Sequence, residues 1–98
     1  GVKIGYGTDT INALKHGENG LEILSLQQYG MSSRQIFGSM TAVSAQALGR
    51  EKEIGLVREG MNADLIAVDE NPLEKVETLA YGDNIKVVIV NGRVVKNV

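Results

Sequence analysis

Asp9 is the side chain of this sequence best placed to do chemistry. It stands near the end of Val2-Lys3-Ile4-Gly5-Tyr6-Gly7-Thr8-Asp9-Thr10, where Val2, Ile4 and Tyr6 alternate with Lys3 and Gly5 as they would on a β-strand. His16-Gly17-Glu18-Asn19 follows, with His16 seven residues after Asp9. A carboxylate at the C-terminal tip of a strand is where parallel α/β barrels keep their catalytic groups, and it can take a proton or hold a cation. Gly7 has no Cβ and is expected to let the chain turn sharply or approach a neighbour closely. The structural alternative is that Asp9 caps the following loop by accepting nearby backbone N–H groups. Spacing alone favours that role.

The elements that must carry these residues are short. Thr10 to Lys15 has no period and reads as a loop, and His16 to Gly20 is turn chemistry. The spacing predicts a helix from Asn19 to Gln28, with Leu21, Leu24 and Gln28 on one side and Ile23 and Leu26 widening the stripe. Gly30 is a natural left-handed terminator for it. A second helix starts at Ser32 or Ser33, where Ser32-x-x-Gln35 has the capping-box form. Ile36, Phe37, Met40, Val43, Ala47 and Leu48 then recur at three- and four-residue steps up to Gly49. Ala42, Ala45 and Ala47 are small enough to let this helix pack close to a neighbour.

The character changes at Arg50, which divides the chain into residues 1–50 and 51–98. Glu51-Lys52-Glu53 is a charged connector, Ile54–Val57 and Gly60–Asp64 bracket a turn, and Leu65–Val68 is a short apolar strand. Asn71-Pro72 breaks it. Val76 to Tyr81 fits either an extended edge or one helical turn. Ile85–Val90, rich in β-branched residues, is the strongest strand. Asn91-Gly92 predicts a type I′ turn from which Arg93–Val98 returns antiparallel.

At 98 residues the chain is one domain or part of one, and 43% hydrophobic residues argue against disorder. It has no cysteine, so neither disulfides nor thiolate metal sites can support so small a core. Ten basic against twelve acidic residues are too balanced for a nucleic-acid or polybasic membrane surface. No apolar run approaches the roughly 20 residues of a membrane span. The absence of targeting signals and of cysteine points to the cytoplasm. The sequence opens inside an apparent strand without an initiating Met, and is therefore expected to be a C-terminal piece.

Three stretches carry a resemblance. Gly7-Thr8-Asp9 with His16-Gly17-x-Asn19-x-x-Glu22 is one. Thr41-x-x-x-Ala45, Leu48-Gly49 and Ile54-Gly55-x-Val57-x-x-Gly60-x-x-Ala63-Asp64-Leu65-Ile66-x-Val68-Asp69-x-Asn71-Pro72-Leu73 form the second, and Val87–Val95 the third. Together they resemble the C-terminal end of metal-dependent amidohydrolases, closest to the imidazolonepropionase and prolidase-like (Xaa-Pro or Xaa-Arg dipeptidase) branch. The resemblance implies an α/β fold, with residues 1–50 giving the last strand and helices of a (β/α)₈ barrel. Residues 51–98 would give the C-terminal strands of a composite β-sandwich.

The same resemblance makes Asp9 both catalytic acid–base and metal ligand, and puts Thr10 and His16 at the substrate. It implies a divalent metal, zinc, in the full-length parent and a small or dipeptide-like substrate cleaved at a C–N bond. Asp64 and Asn71-Pro72 would be turn residues, with Asp64 accepting backbone N–H groups in the turn after Gly60. The family's His-x-His pair and its other metal ligands have no counterpart among the chain's residues, which include one histidine. Zinc needs three or four protein ligands. The chain alone is therefore expected to hold no metal and to be inactive, its partner being the missing N-terminal portion of the same protein. Without that portion, Ile85–Val90 is expected to present an unpaired edge and the piece to self-associate. The alternatives are a non-catalytic β-sandwich binding or assembly module and an unrelated small α+β protein.

Overall fold

One short helix, a longer helix with a widened middle turn, several 3-10 turns and a three-stranded antiparallel sheet make up the part of the chain that the computed structural model describes, residues 1–9 and 15–98. A 3-10 turn at Asn19–Leu21 leads into α1, Glu22–Gln28. Ile23, placed at the edge of the expected stripe, is its fully buried residue, while Gln28 is exposed.

The second helix begins as its caps predict. Ser32 Oγ accepts the Gln35 N–H at 3.3 Å and Gln35 Oε1 accepts the Ser32 N–H at 2.9 Å, a complete capping box at the head of α2, Ser33–Gly38. Such a cap is worth about 1 kcal/mol. Helical periodicity does not anticipate the next turn. Residues Ser39–Val43 form a π turn before α3, Ser44–Ala47, completes the rod. The wider turn shifts the register of everything after it. Ala45 is consequently buried, whereas Ala47 and Leu48, expected on the apolar face, are exposed. The helix ends at Gly49 in a Schellman motif, with Gly49 N–H on Gln46 O and Arg50 N–H on Ala45 O.

β1, Leu65–Val68, pairs with β2, Ile85–Val90, and β2 with β3, Arg93–Asn97. Asn91 (φ 48°) and Gly92 (φ 75°) make the expected type I′ turn between Val90 and Arg93. β2 is thus central and half-buried along most of its length, so the expectation that it would be an unpaired edge is corrected. The outer strands of this sheet are β1 and β3.

The core crosses from one half of the sequence to the other. Ile23 and Ile36 pack with Val76, Leu79 and Ala80, and Ile23, Ile36 and Val76 are 0% exposed. Each such aliphatic side chain contributes about 1.5–3 kcal/mol on burial. Val76–Leu79 is one 3-10 turn, the helical of the two options the pattern allowed. It is anchored to α2 by Ser33, whose Oγ accepts the Val76 N–H and donates to Glu74 O. Gly55 (φ 93°) comes so close to the π turn that an added Cβ would lie 2.7 Å from Ala45 Cβ and 3.0 Å from Thr41 O. Ala45 therefore permits the close approach expected of it.

Gly1–Asp9 is assigned no strand, because among the described residues no strand lies beside it to supply a ladder. The described fold is a mixed α/β unit with an antiparallel sheet, and the barrel to which a parallel strand would belong is not seen in it. No helix among the described residues is long and apolar enough to cross a membrane.

Candidate functional site

Side chains hold the Asp9 segment in place. The Tyr6 N–H donates to Ser44 Oγ at 3.0 Å, and Ser44 Oγ donates in turn to Ser39 O at 2.6 Å. The Tyr6 hydroxyl donates to Asn19 O, and Lys3 Nζ donates to Gln46 Oε1 at 2.9 Å. The Tyr6 ring packs against the helical core. Burial pushes the Tyr6 phenol above the usual tyrosine range, and the negative charge of Glu22 pushes it further the same way.

Beyond this anchor Asp9 takes a left-handed backbone conformation, with φ 45°. Gly7, expected to make a sharp turn or a close approach, is not among the glycines with positive φ and has nothing within 4 Å of where a Cβ would stand. Aspartate tolerates the left-handed region better than most residues, because its short polar side chain can bond locally. The Asp9 carboxylate is exposed. Thr10 and the loop that Asp9 would cap, 10–14, lie outside the described residues.

His16 is exposed in a turn that closes over Gly17 (φ 96°). Around it Glu18 N–H bonds Lys15 O at 3.0 Å, Lys15 N–H donates to Glu18 Oε2 at 3.2 Å, and Gly17 N–H donates to Asn19 Oδ1 at 3.1 Å. Asp9 and His16 therefore flank the same stretch of chain, each exposed at its end. No group of three or more His, Asp or Glu side chains able to hold a metal ion occurs among the described residues. These residues do not by themselves fit a metal centre, and Asp9 offers at most one ligand to one.

Asp64 lies beside the sheet, as its motif implied, but the turn it serves differs from the expectation. Its Oδ1 accepts the Asn91 N–H at 2.8 Å, in the β2–β3 turn, whereas the turn that contains Gly60 closes through Met61 N–H on Arg58 O at 3.1 Å. Asn71 does make local turn chemistry, with Oδ1 accepting the Leu73 N–H at 3.1 Å. A cavity of ≈ 760 Å³ opens between the helix and β1, lined by Phe37, Met40, Ile54, Leu56, Ile66 and Val68 among others. Neither Asp9 nor His16 lines it, so cavity size and the candidate chemistry part company. The chemistry-bearing end is the better guide, because an apolar groove beside a sheet needs only a packing partner. Sequence reasoning misses Ser44, Ser39 and Tyr6 as site residues, since nothing local marks a contact between positions 38 apart. Ser39 Oγ is buried without a hydrogen-bond partner among the described residues.

The profile of the amidohydrolase family matches residues 1–95. The chain belongs to the amidohydrolase family. A solved amidohydrolase superposes on the whole of this amidohydrolase chain with a TM-score of 0.90 at 34% identity, over 24% of its own length. A Xaa-Pro dipeptidase solved with methionine in its active site matches 99% of the chain with a TM-score of 0.87 at 37% identity, over 23% of its length. Ochratoxinase from Aspergillus niger is 35% identical over 79 residues, which is 79% of this chain and 16% of that enzyme. The chain thus spans about a sixth to a quarter of the length of these amidohydrolase relatives.

Proposed function

We propose that this chain is the C-terminal part of a metal-dependent amidohydrolase of the dipeptidase branch, hydrolysing a C–N bond in a dipeptide-like or cyclic amide substrate. The observation that carries the reading is the 37% identity and 0.87 TM-score to a Xaa-Pro dipeptidase over 99% of the chain. The exposed carboxylate that ends the anchored segment supports it. In this reading Asp9 takes a proton from the attacking water and returns it to the leaving amine, the two roles a single carboxylate can play in turn. Thr10 and His16 face the substrate. A divalent metal, zinc, supplies water activation when bound; its remaining ligands belong to the portion of the enzyme outside this chain, which is also the chain's partner.

The test is turnover of a panel of Xaa-Pro dipeptides by the full-length protein that carries this chain. Asp9→Asn is expected to lower kcat by about 100-fold or more without moving the melting temperature, the scale at which an acid–base group acts. Wild-type turnover by that variant would overturn the assignment of Asp9. The 98-residue chain alone is expected to turn over none of the panel.

A further inference from the structure

We propose that Ser44, Tyr6 and Asn19 form a brace that positions the two ends of the candidate site, with Ser44 as its fixed point. The inference rests on the reading of Asp9 as the acid, and concerns what determines where that carboxylate stands. A β-like segment ordinarily takes its position from ladder hydrogen bonds. In the reading above Gly1–Asp9 is a barrel strand whose neighbouring strands lie outside this chain, and within the chain it is tied to the helices through side chains. Three residues before Asp9, the Tyr6 main-chain N–H is held by Ser44 Oγ at 3.0 Å.

That hydroxyl is used twice, and its polarity is thereby set. Its single proton goes to Ser39 O at 2.6 Å, which leaves a lone pair for the Tyr6 N–H. In a regular helix a serine hydroxyl reaches back to the carbonyl four residues earlier. Here the π turn brings Ser39 O, five residues earlier, within reach. The backbone of the segment runs close by: a Cβ on Gly5 would be 3.6 Å from Ser44 Oγ.

Tyr6 carries the constraint onward. Its N–H is tied to Ser44, its ring to the core, and its hydroxyl to Asn19 O. Asn19 then uses Oδ1 to accept the Gly17 N–H beside His16. The Tyr6–Asn19 pair therefore joins the Asp9 segment to the His16 turn. Ser44, Tyr6 and Asn19 are positioning residues; none is asked to touch substrate.

The experiment pairs Ser44→Ala with Ser44→Thr, which keeps a hydroxyl. In hydrogen exchange on the chain, Ser44→Ala is expected to lose about tenfold or more of the protection of the Tyr6 amide while Ile23 and Ile36 amides keep theirs, and Ser44→Thr to restore it. In the full-length protein, Ser44→Ala is expected to lower kcat by about 10- to 100-fold with KM within about twofold, and Ser44→Thr to recover it. Unchanged Tyr6 exchange, or a kcat loss that Ser44→Thr does not recover, overturns the brace. If Ser44→Ala does not fold, Tyr6→Phe removes the far hydroxyl and keeps the ring; wild-type kcat there overturns the brace equally. The two readings fail separately. A fully active Asp9→Asn with loosened Tyr6 in Ser44→Ala removes the catalytic assignment and leaves the brace, whereas an inactive Asp9→Asn with an unaffected Ser44→Ala does the reverse.

Discussion

Asp64 Oδ1 accepts the backbone N–H of Asn91 at 2.8 Å, and the Gly92 N–H bonds Ala63 O at 3.0 Å beside it. The residues leading into β1 therefore close the turn between β2 and β3. All three strands are locked at one end of the sheet, with Asn91 held in the left-handed conformation that the type I′ turn needs.

Asp64→Ala removes that acceptor and leaves the turn amide to water. The expected loss is about 1 kcal/mol, the usual net worth of such a bond at an exposed position. Asp64→Asn, which retains a side-chain oxygen, is expected to lose less. The midpoint of urea unfolding for the two variants checks the order, and equal midpoints would contradict it.

Gly55→Ala is expected to be more costly. An alanine there would meet Ala45 Cβ at 2.7 Å and would have to adopt φ 93°. Overlap and backbone strain together are worth about 2–4 kcal/mol. Adding Ala45→Gly relieves the overlap with that methyl but neither the 3.0 Å approach to Thr41 O nor the strain, so the double variant should recover only part of the loss. Full recovery in thermal melts would show that the conformation of residue 55 costs nothing.

The raised ionisation of Tyr6 has a definite sign. The folded state favours the neutral phenol, so the stabilisation is complete below the unfolded value of about 10 and is lost as pH rises through the higher folded value. Ultraviolet titration should show a tyrosinate step above the ordinary range that disappears in Tyr6→Phe. Stability measured above about pH 10 should fall less steeply in that variant than in the wild type. A Tyr6→Phe titration that keeps its late step would assign the shift to another residue.

Chemistry confined to a few neighbours is legible in the sequence. Ser32 and Gln35 announce their capping box, Asn91-Gly92 its turn, and Ile85–Val90 its strand, because each depends on residues within reach along the chain. The π turn at Ser39–Val43 has no such signature: its residues suit an ordinary helix, and only the packing of Gly55 against Thr41 and Ala45 reveals the wider register. Val76–Leu79 is ambiguous in sequence because its burial comes from Ile23 and Ile36, far away along the chain. The same holds at the candidate site. Asp9 and His16 stand out by residue type, whereas Ser44 acquires meaning only when folding brings it to Tyr6.

Val76–Leu79 belongs to the connection between β1 and β2 yet fills the space between α1 and α2. Unzipping those two strands would draw this plug out of the helices, and loosening the helices would free the connection that closes the strands. Thermal melting is then expected to be a single cooperative event for both halves. A protease that nicked the exposed stretch at Glu51–Glu53 would leave two pieces still clasped together.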